Sequence, residues 1–243
     1  MPAFGARQAF PQPAVAPPGT TWTHLWRCID ATGTNIPDSA NGVDMTMAGA
    51  NVALDPGGVV FGGSGDGHLD CLIADLLVDL KNFTGDLAIF LSATIQSAGA
   101  GGYGRYWNTR YDGKGQPIGS LCNSSNGTRV WHGDNLWDDI SYDSGPVYPM
   151  DMDHALVRSD TETTPVATIY IREHSGALKS QIASSNIAAR CWSDGGFNDF
   201  RIGNRGTNDR QLDGLVKWIG ILNYAPDSTE IESIFSAGRP PAP

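Results

Sequence analysis

Asp151 and Asp153 are the acidic pair in this sequence whose spacing best suits chemistry. They stand two residues apart, so on a strand both carboxylates face the same way, with His154 next in line. A carboxyl pair that flanks a glycosidic bond hydrolyses it, at about 5–5.5 Å for retention and wider for inversion. Asp138 and Asp139 follow Trp137, but adjacent residues on a strand point to opposite faces and cannot cooperate. The Glu residues, Glu162, Glu173, Glu230 and Glu232, are scattered. A polar strand start with a capping role accounts for Asp151 and Asp153 without catalysis. Other chemistries lack their patterns. There is no Gly-x-Ser-x-Gly elbow for a serine nucleophile. Gly99-Ala-Gly-Gly-Tyr-Gly104 is glycine-rich but carries no Lys, and it reads as a hairpin or loop. The five histidines, His24, His68, His132, His154 and His174, show no ligand spacing. The expectation is no catalytic residues, no metal centre, and no enzyme.

A second group suits binding. Trp107, Trp131 and Trp137 stand in the Gly-rich middle of the chain, with Asn108, Arg110, Asn123 and Arg129 near them and Tyr142 and Tyr148 following. Aromatic faces stack on sugar rings, and Asn and Arg hydrogen-bond their hydroxyls. Trp107, Arg110, Trp131, Trp137 and Tyr142 are therefore the candidate glycan-binding residues. The competing reading makes the tryptophans core or interface anchors, because Trp is highly buried on average.

These residues need elements to hold them. Of 243 residues, 40% are apolar and 17% charged, enough apolar side chain for one large core. Thirty Gly and 15 Pro imply many turns and so many short strands. The net charge of −10 leaves no basic face for nucleic acid. Val59-Val-Phe61, Arg105–Tyr111, Ile118–Cys122, Ala155–Arg158, Val166–Arg172 and Phe200–Gly203 read as strands. Leu87, Ile89, Leu91, Ala93 and Ile95 alternate onto one face of another. Leu212–Tyr224 is apolar on both faces, which places it centrally. Cys71–Leu80 fits either a short helix or a buried strand. A helix follows Asp227, with Glu230 three residues on, an apolar stripe of Ile231, Ile234 and Phe235, and Gly238 and Pro240 to stop it.

Residues 1–20 and 239–243 are Pro-rich arms around a single domain over 21–238. Residues 1–19 contain no apolar run, so neither a secretion signal nor membrane insertion is expected. Cys28, Cys71, Cys122 and Cys191 are widely spaced and read as buried thiols, with two disulfides as the alternative.

Several segments resemble the concanavalin A-like lectin/glucanase superfamily, in particular its laminin-G-like domains. Ile202-Gly203 resembles the family's "(L/I)G" pair, and Leu212, Gly214 and Leu215 resemble the motif that opens its long penultimate strand, after which a short helix closes the domain. Phe83–Phe90, Asp153–Val157, Thr168–Gly176 and Val60–Gly63 resemble its earlier strands more loosely. The resemblance implies an all-β, two-sheet antiparallel jelly-roll sandwich with one short C-terminal helix and extended terminal arms. It also raises calcium, for which Asp66, Asp70, Asp134 and Asp139 would be ligands, although turn formation explains each of them. The superfamily's glucanases carry a Glu-x-Asp-x-Glu strand that is missing here. The expected function is a non-catalytic structural module of a bacteriophage virion, a capsid decoration or tail protein. Its arms would contact other virion or capsid proteins and it would form a homo-oligomer. The alternative is a carbohydrate-binding module for a cell-surface glycan, and a glycoside hydrolase comes third.

Overall fold

The computed structural model describes residues 20–78, 80, 85–102, 104–111, 119–123, 127–132, 136–141, 148–160, 166–173, 176–182, 197–204 and 210–237. Its strands in chain order are β1 (His24–Arg27), β2 (Asn35–Ile36), β3 (Met45–Ala48), β4 (Val52–Asp55), β5 (Gly58–Gly62), β6 (His68–Leu72), β7 (Leu87–Ser97) and β8 (Arg105–Tyr111). There follow β9 (Gly119–Asn123), β10 (Gly127–His132), β11 (Leu136–Ser141), β12 (Met150–Ser159), β13 (Val166–Glu173), β14 (Lys179–Ile182), β15 (Phe197–Ile202) and β16 (Asp213–Leu222). One helix, α1 (Ser228–Ala237), comes last.

The strands form two antiparallel sheets, as the resemblance implies. One runs β14-β13-β12-β7-β16-β5-β4, and β1 also pairs with β16. The first half of β16 pairs with β5 (Val216 with Val59) and the second half with β1 (Trp218 with Arg27), so β1 and β5 lie end to end along it. The second sheet runs β11-β10-β9-β8-β15-β6-β3-β2. Consecutive strands β7 and β8 lie in different sheets, so Gly99–Gly104 is a sheet-to-sheet crossing rather than a hairpin.

Alternation on β7 builds both apolar layers. Leu87, Ile89, Leu91, Ala93 and Ile95 face the second sheet, joined there by Val59, Phe61, Leu69, Tyr106, Trp107, Phe200 and Ile202. Ala88 and Phe90 face outward and are covered by α1 through Ile231, Ile234 and Phe235, with Trp22, Trp218 and Leu222 alongside. Phe90 meets Trp22 and Phe235 edge-on, at centroid distances of 5.4 and 6.0 Å. β16 is thus buried on both faces, between the inter-sheet core and the helix layer. At Gly220 a Cβ would fall 2.2 Å from the Trp22 ring, so only glycine fits. Asp227 caps α1, its Oδ1 accepting from the Glu230 N–H at 2.8 Å. The Glu230 carboxylate does not close a capping box; it accepts from the Tyr224 hydroxyl.

The segment Cys71–Leu80 resolves as neither alternative alone. β6 ends at Leu72, and a single 3-10 turn follows at Ile73–Asp75. Cys28 and Cys71 are buried free thiols. Residues 1–19 and 238–243, which hold nearly all of both Pro-rich arms, lie outside the described residues, as do Asp134, Cys191 and His174.

Candidate functional site

The acidic pair singled out by spacing is structural. Asp151 and Asp153 do share a face, the outer face of the first sheet, but each is engaged. Asp151 accepts from Lys217 Nζ at 2.7 Å and from the Thr94 hydroxyl. Lys217 reaches it because a bulge between Val216 and Trp218 leaves it out of register with β7. Asp153 is buried, accepting from Ser92 Oγ at 2.7 Å and from Arg172 Nη2 at 3.2 Å. Arg172 in turn donates to Ser236 Oγ of α1 at 2.9 Å and lies 5.4 Å from the Phe235 ring centre. This pair joins helix to sheet. His154 points the other way, into the core 5.8 Å from Tyr106, where burial pushes its imidazole down to about 4 despite a hydrogen bond with the Tyr170 carbonyl.

A different polar array occupies the outer face of the second sheet. Register aligns Asn35 with Thr46, Thr46 with Asp70, Asp70 with Arg201, and Arg201 with Asn108. Five strands thus contribute one continuous row of hydrogen-bonding side chains, perpendicular to the chain direction. Alternation explains it: Met45, Leu69, Cys71, Phe200 and Ile202 take the inward positions, and the residues between them must face out. Arg201 is buried, with Nη2 3.4 Å from Asp199 Oδ2 and 3.8 Å from Asp70 Oδ2. His68 Nε2 lies 3.4 Å from Asp70 Oδ2, and His68 Nδ1 is 2.7 Å from the Asp66 carbonyl.

Along this row opens a cavity of about 410 Å³ lined by Asp44, Thr46, Asp70, Leu72, Asp75 and Asp199, with Gly42, Val43 and Cys71. Its volume is of the size usual for small-molecule sites. One wall is apolar: Leu72 is 53% exposed, an unusual position for a large aliphatic side chain on a strand. The opposite rim is held rigidly. Asp44 accepts from Asn35 Nδ2 at 2.7 Å and from the Asp38 N–H at 3.0 Å. Asp38 is itself locked. Burial opposes its charge, but hydrogen bonds from the Leu25 N–H, from His24, and from the Ala40 and Val43 N–H groups hold it below the usual carboxylate range. His24 Nδ1 lies 2.8 Å from Asp38 Oδ2, and its Nε2 accepts the Leu77 N–H at 3.0 Å, so the donor to Asp38 is Nδ1–H. These bonds tie Asp38, and the segment that leads from it to the lining residues Gly42, Val43 and Asp44, to β1.

Of the glycan candidates read from sequence, Trp107 is a core residue. It is 0% exposed and packs 6.2 Å from Phe200 between the sheets, so it offers no face to a ligand. The core reading of this tryptophan is the correct one. Trp131 and Trp137 are directly opposed by the register of β10 and β11, and Arg110 lies on β8; their side chains, and all of Tyr142, lie outside the described residues. Asp70 was singled out in the sequence only as a turn residue and calcium candidate. Asn35, Thr46, Asp199 and Arg201 were missed, because they stand on three separate strands, β2, β3 and β15, that only the sheet brings together. The signal lay in Phe200-Arg-Ile202, where a charge interrupts an apolar strand. Among the described residues no three His, Cys, Asp or Glu are grouped to hold a metal ion. Of the calcium candidates, Asp66 accepts the Ala50 N–H, which draws its carboxyl down.

No family model matches the chain, and no curated protein does either. Solved structures do. A sialidase of Trypanosoma rangeli in complex with the inhibitor DANA superposes with a TM-score of 0.65 at 18% identity, covering 90% of this chain and 33% of the sialidase. Domain 4 of AbnA, an extracellular GH43 arabinanase of Geobacillus stearothermophilus, in complex with arabinotriose, gives 0.56 at 14% identity, covering 90% of this chain and 98% of that domain. The receptor-binding domain of a botulinum neurotoxin C/D mosaic gives 0.57 at 10% identity over 89% and 50%. The chain spans about a third of the length of the sialidase. These similarities place the fold among β-sandwiches found in carbohydrate-associated proteins. They correct two expectations. The virion assignment is overturned, since the similar structures include carbohydrate-active enzymes. The flat exclusion of an enzyme also falls. It rested on scattered Glu, the missing Glu-x-Asp-x-Glu strand and the lack of other local catalytic patterns, and local motifs say nothing about carboxylates such as Asp70 and Asp199 that meet from separate strands.

Proposed function

We propose that this chain binds carbohydrate in the groove on the outer face of its second sheet. The observation that carries the reading is the cavity of about 410 Å³ in which Asp44, Thr46, Asp70, Asp75 and Asp199 supply hydrogen-bonding groups beside the exposed Leu72. A sugar ring has the matching character, with hydroxyls around its edge and an aliphatic face. Carboxylates accept from two hydroxyls at once, and Leu72 covers C–H surface. The likeness over nearly the full length of a domain described with bound arabinotriose supports it.

A glycan array followed by calorimetry with arabinotriose and sialyllactose tests this. Binding is expected to at least one neutral oligosaccharide. Leu72→Ala and Asp70→Asn should each weaken it by roughly tenfold. An array blank at millimolar concentration would sink the proposal.

Glycoside hydrolysis at the same groove is the second reading. Asp70 and Asp199 favour it: they share one face of paired strands, on diagonal positions, with Arg201 between them. Release of reducing ends from the bound sugar, abolished in Asp199→Asn, would establish turnover; no release over days would exclude it.

A further inference from the structure

We propose that the groove selects its glycan by charge, taking amino sugars in the ammonium form and rejecting carboxylated sugars. This rests on the carbohydrate reading of the groove and specifies its ligand class.

Four of the residues that line the groove are aspartates, Asp44, Asp70, Asp75 and Asp199, and among the described residues that line it none is Lys or Arg. Arg201 belongs to the row but is not among the residues that line the groove. It is buried, and its guanidinium is directed to Asp199 and Asp70 at 3.4 and 3.8 Å. A carboxylated sugar is recognised through a guanidinium fork presented to it, and here the fork is turned to the protein's own carboxylates. Such a ligand would bring a like charge to a wall of carboxylates with no cation among the described lining residues to receive it. An ammonium group meets the opposite situation. It has three hydrogens to donate, and carboxylate oxygens only accept.

The same carboxylates act beneath the groove as well: the Cys71 thiol, on the inward side of β6, is pushed above its ordinary range by burial and then by repulsion from Asp70, Asp38, Asp75 and Asp199. A second observation distinguishes the groove from a mere acidic patch. Leu72 stands 53% exposed beside the carboxylates, an apolar surface that a hydrated metal ion would leave uncovered and a pyranose ring would cover.

The test is calorimetry on the full chain with four probes: the glucosamine tetramer, the N-acetylglucosamine tetramer, tetragalacturonate and arabinotriose. The expected order places the glucosamine tetramer roughly tenfold tighter than its acetylated counterpart, with tetragalacturonate weakest, and added salt should narrow the first gap. Asp75→Asn, at an exposed position in a 3-10 turn, should reduce the preference for the ammonium form about threefold without unfolding the chain. Equal binding of the two tetramers, or tetragalacturonate binding as well as either, overturns the charge selectivity. Binding of arabinotriose alone also overturns it and leaves the carbohydrate reading standing. No binding by any probe, with a blank array, overturns both.

Discussion

His154 shows how one side chain ties stability to pH. It must stay neutral in the core, and burial lowers it from 6.5 to about 4. In the unfolded chain it binds a proton below pH 6.5, whereas in the folded protein it does so only near pH 4. Stability from this group is therefore complete above pH 6.5 and lost as the pH falls toward 4, by up to about 3 kcal/mol. Urea midpoints across that range should fall for the parent chain and fall less steeply for His154→Gln. Equal slopes for the two would remove His154 as the cause. Gly220 makes a steric counterpart. Gly220→Ala forces a methyl into the Trp22 ring and should cost about 1–3 kcal/mol, read as a lowered melting temperature with the strand pattern retained.

The element that most depends on specific partners is α1. Its apolar stripe seals Phe90 and Trp218, yet the polar joint beside that stripe decides how firmly it sits. Removing Asp153 leaves the Arg172 charge buried without its carboxylate, so Asp153→Ala should destabilise by about 3–5 kcal/mol. Losing the cap is milder: Asp227→Ala should cost about 1 kcal/mol. Chemical denaturation of both variants separates the two, and a smaller loss for Asp153→Ala than for Asp227→Ala would refute this account. The Glu230 partner is instructive. A capping box was expected from spacing, but Tyr224 lies within reach and takes the carboxylate; burial, and then that carboxylate, push its phenol up to about 12. Spacing fixes which residues sit at a helix start; it does not tell which neighbour from the preceding loop competes for them.

For the molecule as a whole, the strands were readable because alternation is local, and their sandwich arrangement came from the family resemblance. Leu87–Ile95 and Leu212–Leu222 carry their burial pattern within a dozen residues. The groove was not readable. Asn35, Thr46, Asp70, Arg201 and Asn108 become neighbours only through strand order β2-β3-β6-β15-β8, which no local window contains. Tryptophan count misled for a related reason: an aromatic on a strand serves whichever face its register gives it, and Trp107 received the inward one.

The end-to-end placement of β1 and β5 along β16 has a consequence for biogenesis. His24 pairs with Ile221, and Val59 with Val216, so the middle of the first sheet joins early and late strands of the sequence. During synthesis β1, β5 and β7 emerge long before the strand that fits between them. Until β16 leaves the ribosome they present open edges, and such long-range pairing is slow to form. A nascent chain stalled before Leu212 should therefore be held by chaperones or degraded, and acquire protease resistance only once α1 has cleared the exit tunnel.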